Sequence, residues 1–155
     1  MRLVLKLESE FIDRIKEHGR DSYPEECCGF LFGSSDGKVK TVRDLHELLN
    51  SSGENRSRRY VIGPAEYRNA EIWAEGKGLE VLGLYHSHPD HPSRPSQFDI
   101  DHALPWWSYI IISVERGSPS VISSWVLNDD RSGFGEERIE EVKMREGTKK
   151  VVTDQ

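Results

Sequence analysis

Apolar positions in this chain change period several times, and each change marks an element. Leu3, Leu5 and Leu7 alternate with polar residues, which predicts a strand over Arg2–Leu7. Phe11, Ile12 and Ile15 share one side of a helix over Glu10–His18, with Gly19 as its stop. Tyr23-Pro24 is a turn. The stretch Glu25–Gly33 enters a strand through two acids and then runs apolar. Ser34–Gly37 turns the chain, and Lys38–Leu45 is the second arm of a hairpin. Ser51–Arg59 is polar and reads as a mobile loop, with Arg56, Arg58 and Arg59 available to an acidic partner surface; Tyr60-Val61-Ile62 is a short strand.

The second half repeats the alternation of helix and strand. Pro64 sits at the first position of a helix whose stripe is Tyr67, Ala70, Trp73 and Ala74, ended by Gly76 and Gly78. Glu80–His88 is a strand, and Pro92 and Pro95 stiffen the loop Asp90–Pro95. Gln97–Ala103 is a short helix stopped by Pro105. Trp107–Val114 is almost continuously apolar and is expected to be a central strand. Glu115–Ser120 turns into the strand Val121–Leu127, and Phe134–Val142 is a final strand or a strand–helix mixture. Strands with interposed helices predict an α/β or α+β chain with a mixed sheet, arranged in three layers with helices on both faces.

Composition narrows this. A chain of 155 residues is one domain, taken as residues 1–147, with a polar frayed tail over 148–155. A net charge of −6 argues against nucleic acid or an anionic membrane as the main partner. No apolar run approaches the ~18–20 residues of a membrane span, and the first six residues are too short and too charged for a signal peptide. Cys27 and Cys28 are adjacent, a poor geometry for bridging each other, which fits a reducing cytoplasmic setting.

The chemistry concentrates in Tyr85–Asp101. His86 and His88 are two apart on a strand, so both imidazoles project from the same face. Asp99 follows eleven residues after His88. Two imidazoles and one carboxylate, with the fourth position left to water, is the donor set of a catalytic zinc site. Such an ion polarises a carbonyl and activates water, so metal-assisted hydrolysis is the first reading. Ser96-x-x-Asp99 also has the form of a capping box. The two roles are compatible, because a helix beginning at Gln97 would fix the aim of Asp99.

His86-Ser87-His88-Pro89, seven residues from His88 to Ser96, and then Asp99, together resemble the JAMM (MPN-plus) zinc metallopeptidase family. The resemblance implies an upstream glutamate as general acid/base, matched by Glu26 in Glu26-Cys27-Cys28-Gly29. Glu25 is its neighbour, and alternation along the strand allows only one of the two to reach the site. It also implies that Ser96 bonds the developing oxyanion, with Zn2+ held by His86, His88 and Asp99. Pro24, Arg59-Tyr60-Val61-Ile62 before Pro64, and Trp125 extend the likeness over about residues 2–142, toward the compact prokaryotic members. Those members imply a cytidine-deaminase-like α-β-α fold. They also imply action on the C-terminal Gly-Gly of a ubiquitin-like or sulfur-carrier protein, at a peptide or isopeptide bond. The polyubiquitin-specific relatives carry a long insertion after the metal Asp, whereas here Pro105-Trp106-Trp107 follows within a few residues.

Other readings stay in view. A non-catalytic MPN-type scaffold typically loses ligands, and here the set is complete. A zinc nucleoside deaminase wants His-x-Glu and Pro-Cys-x-x-Cys, and neither occurs. A metal-binding protein without activity remains open. Cys28, which faces the same way as Glu26, and the tryptophans Trp106, Trp107 and Trp125 are assigned to packing, while His18 and His46 have no motif context. His91 is assigned to a solvated loop, and His102 is a candidate neighbour of Asp99 on its helical face.

Overall fold

Among the described residues, the strand that ends in His86 and His88 is one of seven that pair into a single sheet. A computed structural model describes residues 3–48 and 62–143. The elements are β1 (Val4–Glu8), α1 (Ser9–Ser22), β2 (Cys28–Asp36), β3 (Val39–Leu48) and α2 (Pro64–Gly76). They are followed by β4 (Glu80–Pro89), α3 (Gln97–His102), β5 (Ser108–Glu115), β6 (Ser118–Leu127) and β7 (Phe134–Val142). The expected loop at Ser51–Arg59, most of the short strand after it and the tail over 148–155 lie outside the described residues.

The strand order is β1-β3-β2-β4-β5-β6-β7, and β7 pairs back onto β1. Three pairings are parallel, β1 with β3, β1 with β7, and β4 with β5, so the mixed α/β class holds. The layered picture drawn from the sequence needs correction in one respect. Residues Val4 to Glu8 pair with Arg138 to Val142, and the sheet closes instead of ending in two edges. Closure satisfies the backbone groups that an edge strand leaves open. The uncertain last segment is accordingly all strand.

Two apolar clusters occupy the two faces. On one, Phe11, Ile12 and Ile15 of α1 pack with Leu5, Leu7, Leu31, Leu45, Tyr85, Ile110 and Ile112. On the other, Ala70 and Ala74 of α2 pack with Cys28, Phe30, Phe32, Leu84 and Tyr109. β5 is buried on both faces through Val114, as its continuous apolar run required.

Helix α1 runs past its expected stop. Gly19 is buried within it, and a Cβ there would lie 3.1 Å from Val114 Cγ2. The missing side chain lets the helix lie against β5, and that packing outweighs glycine's weak helical preference. Gly29 acts similarly: a Cβ would come within 2.2 Å of the Tyr85 ring. The Tyr85 ring therefore sits against Gly29 of β2, and its hydroxyl reaches His18 Nδ1 at 2.7 Å.

Candidate metal centre

β2 and β4 set the register of the site. Cys28 pairs with His86 in antiparallel fashion, and the Ser87 amide donates to Cys27 O at 3.1 Å. The Cys27 amide donates in turn to Ser87 Oγ at 2.9 Å. Two further residues along this ladder bring Glu26 opposite His88. Alternation sends Cys27 to the α1 face and Cys28 to the α2 face, so Glu26 shares the side of Cys28, His86 and His88. Glu25 is exposed, while Glu26 is 3% exposed and lines a cavity with His88, Pro89, His91, Pro92, Arg94 and Ser96. Of the two acids, the structure brings Glu26 to the site.

The third candidate ligand comes from the start of α3. The Ser96 amide donates to Asp99 Oδ2 at 2.8 Å and the Asp99 amide donates to Ser96 Oγ at 3.1 Å. This reciprocal capping box ends the strand-to-helix loop and aims the Asp99 carboxylate inward. His86 Nε2 lies 3.3 Å from Asp99 Oδ1, His88 Nε2 lies 3.2 Å from Asp99 Oδ2, and the two Nε2 atoms are 3.3 Å apart. Two atoms each ~2.0–2.1 Å from a tetrahedral ion stand about 3.3 Å apart. The group thus has the spacing of three ligands around one small cation, and the three residues are buried.

Electrostatics agree with that spacing. Burial lowers the His86 pKa, which keeps the imidazole neutral and its lone pair available. Burial alone would raise the Asp99 carboxyl. The two imidazoles beside it, His86 before His88, and the Ser96 amide that donates to its Oδ2 override it and hold Asp99 well below the usual range. Glu26 is pushed up to about 9, first by burial and then by the charge of Asp99. A carboxylate of such raised pKa can both accept and return a proton near neutrality once a cation sits beside it.

The loop between the candidate ligands is held by its carbonyls. His88 Nδ1 donates to Pro92 O at 2.8 Å, which leaves Nε2 as the lone-pair nitrogen. Ser113 Oγ donates to His91 O at 2.6 Å. Ser123 Oγ and Trp125 Nε1 both donate to Ser93 O, at 2.6 and 3.1 Å. Sequence reasoning had placed Trp125 in the core and had not singled out Ser113 or Ser123. Their signal was weak, because a serine facing a loop carbonyl looks like any strand serine. Tyr23 was missed as well. Its hydroxyl donates to Asp90 Oδ2 at 2.6 Å, and the Arg116 amide donates to Asp90 Oδ1 at 2.7 Å.

The remaining candidates separate from the site. His102 Nδ1 donates to Phe98 O at 2.8 Å and its ring stacks on Phe98, so it is not placed as a partner of Asp99. His91 lines the cavity and is exposed. Burial pushes the Cys28 thiol up to about 12, which suits packing and not a nucleophile. His46 packs on Phe32 and Trp73, and Trp107 on Phe30 and Tyr67. Among the described residues, no helix is long and apolar enough to cross a membrane.

Comparison with known proteins agrees with this geometry. The family model for prokaryotic homologs of the JAB domain matches residues 8–128. A protein named desampylase from Pyrococcus furiosus is 35% identical over 104 residues, 67% of this chain and 68% of that protein. The desampylase of Haloferax volcanii is 34% identical over 114 residues, 70% of this chain and 80% of that protein. Among solved structures, a Desulfitobacterium hafniense protein superposes with a TM-score of 0.78 at 31% identity, covering 92% of this chain and 96% of its own. A JAB1/MPN domain protein from Archaeoglobus fulgidus, at 20% identity and a TM-score of 0.55 over 92% of this chain and 97% of its own, shares the fold. The chain belongs to the family of prokaryotic homologs of the JAB domain, and its His-His-Asp group makes it a JAMM-type hydrolase of that family.

Proposed function

We propose that this protein is a zinc-dependent peptidase that cuts a peptide or isopeptide bond following the C-terminal Gly-Gly of a ubiquitin-like or sulfur-carrier protein. The observation that carries the reading is the convergence of His86 Nε2, His88 Nε2 and an Asp99 oxygen at 3.2–3.3 Å, beside a cavity that holds the buried Glu26. His86, His88 and Asp99 would hold the ion. Two imidazoles and one carboxylate suit Zn2+. When bound, it would supply Lewis acidity and a local positive charge.

The chain's own residues would do the rest. Glu26 takes a proton from the attacking water and later delivers it to the leaving amine, with the raised proton affinity of a buried carboxylate. The Ser96 hydroxyl accepts from the Asp99 amide and keeps its own proton to donate to the carbonyl oxygen as charge develops there. His88, fixed by Pro92 O, keeps its ring orientation through the reaction. The desampylase relatives support a ubiquitin-like partner. The two buried, unbridged thiols fit a reducing, cytoplasmic compartment.

The test is mass spectrometry of a small ubiquitin-like carrier ending in Gly-Gly plus one residue, incubated with zinc-loaded protein, chelated protein and E26A. Loss of the extra residue only in the zinc-loaded parent is the expected result. A parent that binds zinc at His86, His88 and Asp99 yet cleaves neither this substrate nor a carrier–lysine conjugate would instead be a metal-holding interaction scaffold.

A further inference from the structure

Among the described residues, Arg94 is the permanent cation lining the cavity of Glu26. Arg94 lines it together with Glu26, His88 and Ser96, and also lines an adjoining groove with Ile100, Val121, Trp125 and Glu136. The loop that presents it is rigid on both sides. Ser93 O is held by Ser123 and Trp125, Pro92 O by His88, and Pro95 follows. Arg94 is exposed, and it enters no hydrogen bond or ion pair with other described residues. In a chain of 27 acids and 21 bases, an exposed arginine beside the cavity of Glu26, with no ion pair to another described residue, leaves its guanidinium open to a ligand.

A guanidinium is a planar fork that matches a carboxylate with two parallel hydrogen bonds. The two kinds of bond open to the proposed enzyme differ in where a carboxylate lies. When a single residue extends the carrier's Gly-Gly, the leaving amine and a free α-carboxylate share one carbon, so the carboxylate lies beside the reacting atoms. When the leaving group is the side-chain amine of a lysine within a protein, no carboxylate lies that close. We infer that Arg94 binds the free α-carboxylate of a one-residue leaving group, and so makes this site selective for carriers bearing a single C-terminal residue after Gly-Gly. The inference rests on the peptidase reading above and specifies its substrate.

The chemistry balances without a further reactant. The C–N bond after the second glycine breaks and the water oxygen bonds to the acyl carbon. Glu26 carries one water proton to the leaving amine. The products are a carrier ending in Gly-Gly carboxylate and a free amino acid, whose own carboxylate does not react and serves as the handle for Arg94.

The test uses three substrates on the same carrier: Gly-Gly-Ala with a free carboxylate, the same ending as an amide, and Gly-Gly joined to a lysine side chain. The zinc-loaded parent should cleave the acid with a kcat/KM roughly 10–100-fold above the amide, the range of a charge-assisted pair. R94A should lose most of that factor on the acid and leave the amide unchanged, and R94K should recover part of it. Equal rates on acid and amide in the parent, or an equal loss on both in R94A, would overturn the assignment while leaving the peptidase reading intact. Calorimetry separates the two failures further, with short Gly-Gly-Ala acid and amide peptides titrated into zinc-loaded E26Q and E26Q/R94A. Tighter binding of the acid that disappears with Arg94 supports the inference even if no carrier is cut, and indifference to the carboxylate refutes it.

Discussion

The Tyr23 hydroxyl donates to Asp90 Oδ2 at 2.6 Å, and that one bond joins the segment leading to Glu26 to the loop leaving His88. The proposed base precedes β2, while the candidate ligands sit on β4 and at the start of α3, so their separation depends on links of this kind. Asp90 is held below its ordinary pKa by the Arg116 amide first and the Tyr23 hydroxyl next. A depressed carboxyl keeps its bonds at neutral pH and loses them as the pH falls through its folded value. Y23F should keep its metal and lower kcat by a few-fold to about tenfold, because a small misplacement of a reacting group is costly. Metal analysis beside steady-state kinetics checks this, and a loss of zinc with unchanged kcat per bound ion would count against a positioning role.

Substituting Asp99 should have two separable consequences. D99N retains a side chain that can bond the Ser96 amide but removes the charge, so metal content should fall with only a small change in stability. D99A also removes the bond to the Ser96 amide, and should cost about 0.5–2 kcal/mol more, the usual range for a lost cap. Zinc content and chemical denaturation of both variants, each measured with and without chelator, test the pair.

Ser96 invites the complementary experiment. S96A loses the oxygen that accepts from the Asp99 amide, at about 0.5–2 kcal/mol of stability, and loses the proposed oxyanion donor, at roughly a hundredfold in kcat. S96T restores both groups and should recover most of the stability and part of the rate. A variant as active as the parent would remove Ser96 from the chemistry and leave it as a helix cap alone.

Glu26 gives a pH signature in the chelated protein. Its folded pKa is raised to about 9, from an ordinary value near 4.5. The folded chain therefore holds a proton there that the unfolded chain releases. The stability from this group is complete below the unfolded pKa and is lost as pH rises toward about 9. Relative to E26Q, which carries no titrating group, the melting temperature of the parent should fall between pH 5 and pH 9. Parallel melting curves across that range would show that the carboxyl is not held protonated by the fold.

Gly29 offers a test of the core beneath the ligands. A methyl there would meet the Tyr85 ring at 2.2 Å and His46 O at 2.6 Å. G29A should destabilise by about 1–3 kcal/mol, as overpacking does. It should also weaken zinc binding, since Tyr85 immediately precedes His86. Denaturation and a zinc titration on the same sample give both numbers.

The candidate ligand pair was legible because period two along a strand places His86 and His88 on one face whatever surrounds them. The same rule separates Cys28 from Cys27, which pack in the two different clusters, and it sets the buried Glu26 apart from the exposed Glu25. Asp99 was readable through its capping box, a local pattern. What escaped the sequence is non-local. Gly19 looks like a helix stop until Val114 is seen beside it. The closure of β7 onto β1 depends on pairing between the two ends of the chain. Tyr23, Ser113, Ser123 and Trp125 acquire their roles only when the fold sets each against one loop.

Three consecutive carbonyls in that loop, of His91, Pro92 and Ser93, are each claimed by a different strand: Ser113 from β5, His88 from β4, and Ser123 with Trp125 from β6. The restraint passes through main-chain oxygens, which every residue type possesses. The side chains at 91 and 94 are thereby released from any duty in shaping the loop. The rim can be rewritten by substitution, in a laboratory or over a lineage, while the ligand geometry beneath it stays fixed. A protein built this way can change what its rim accepts without rebuilding the candidate site beneath it.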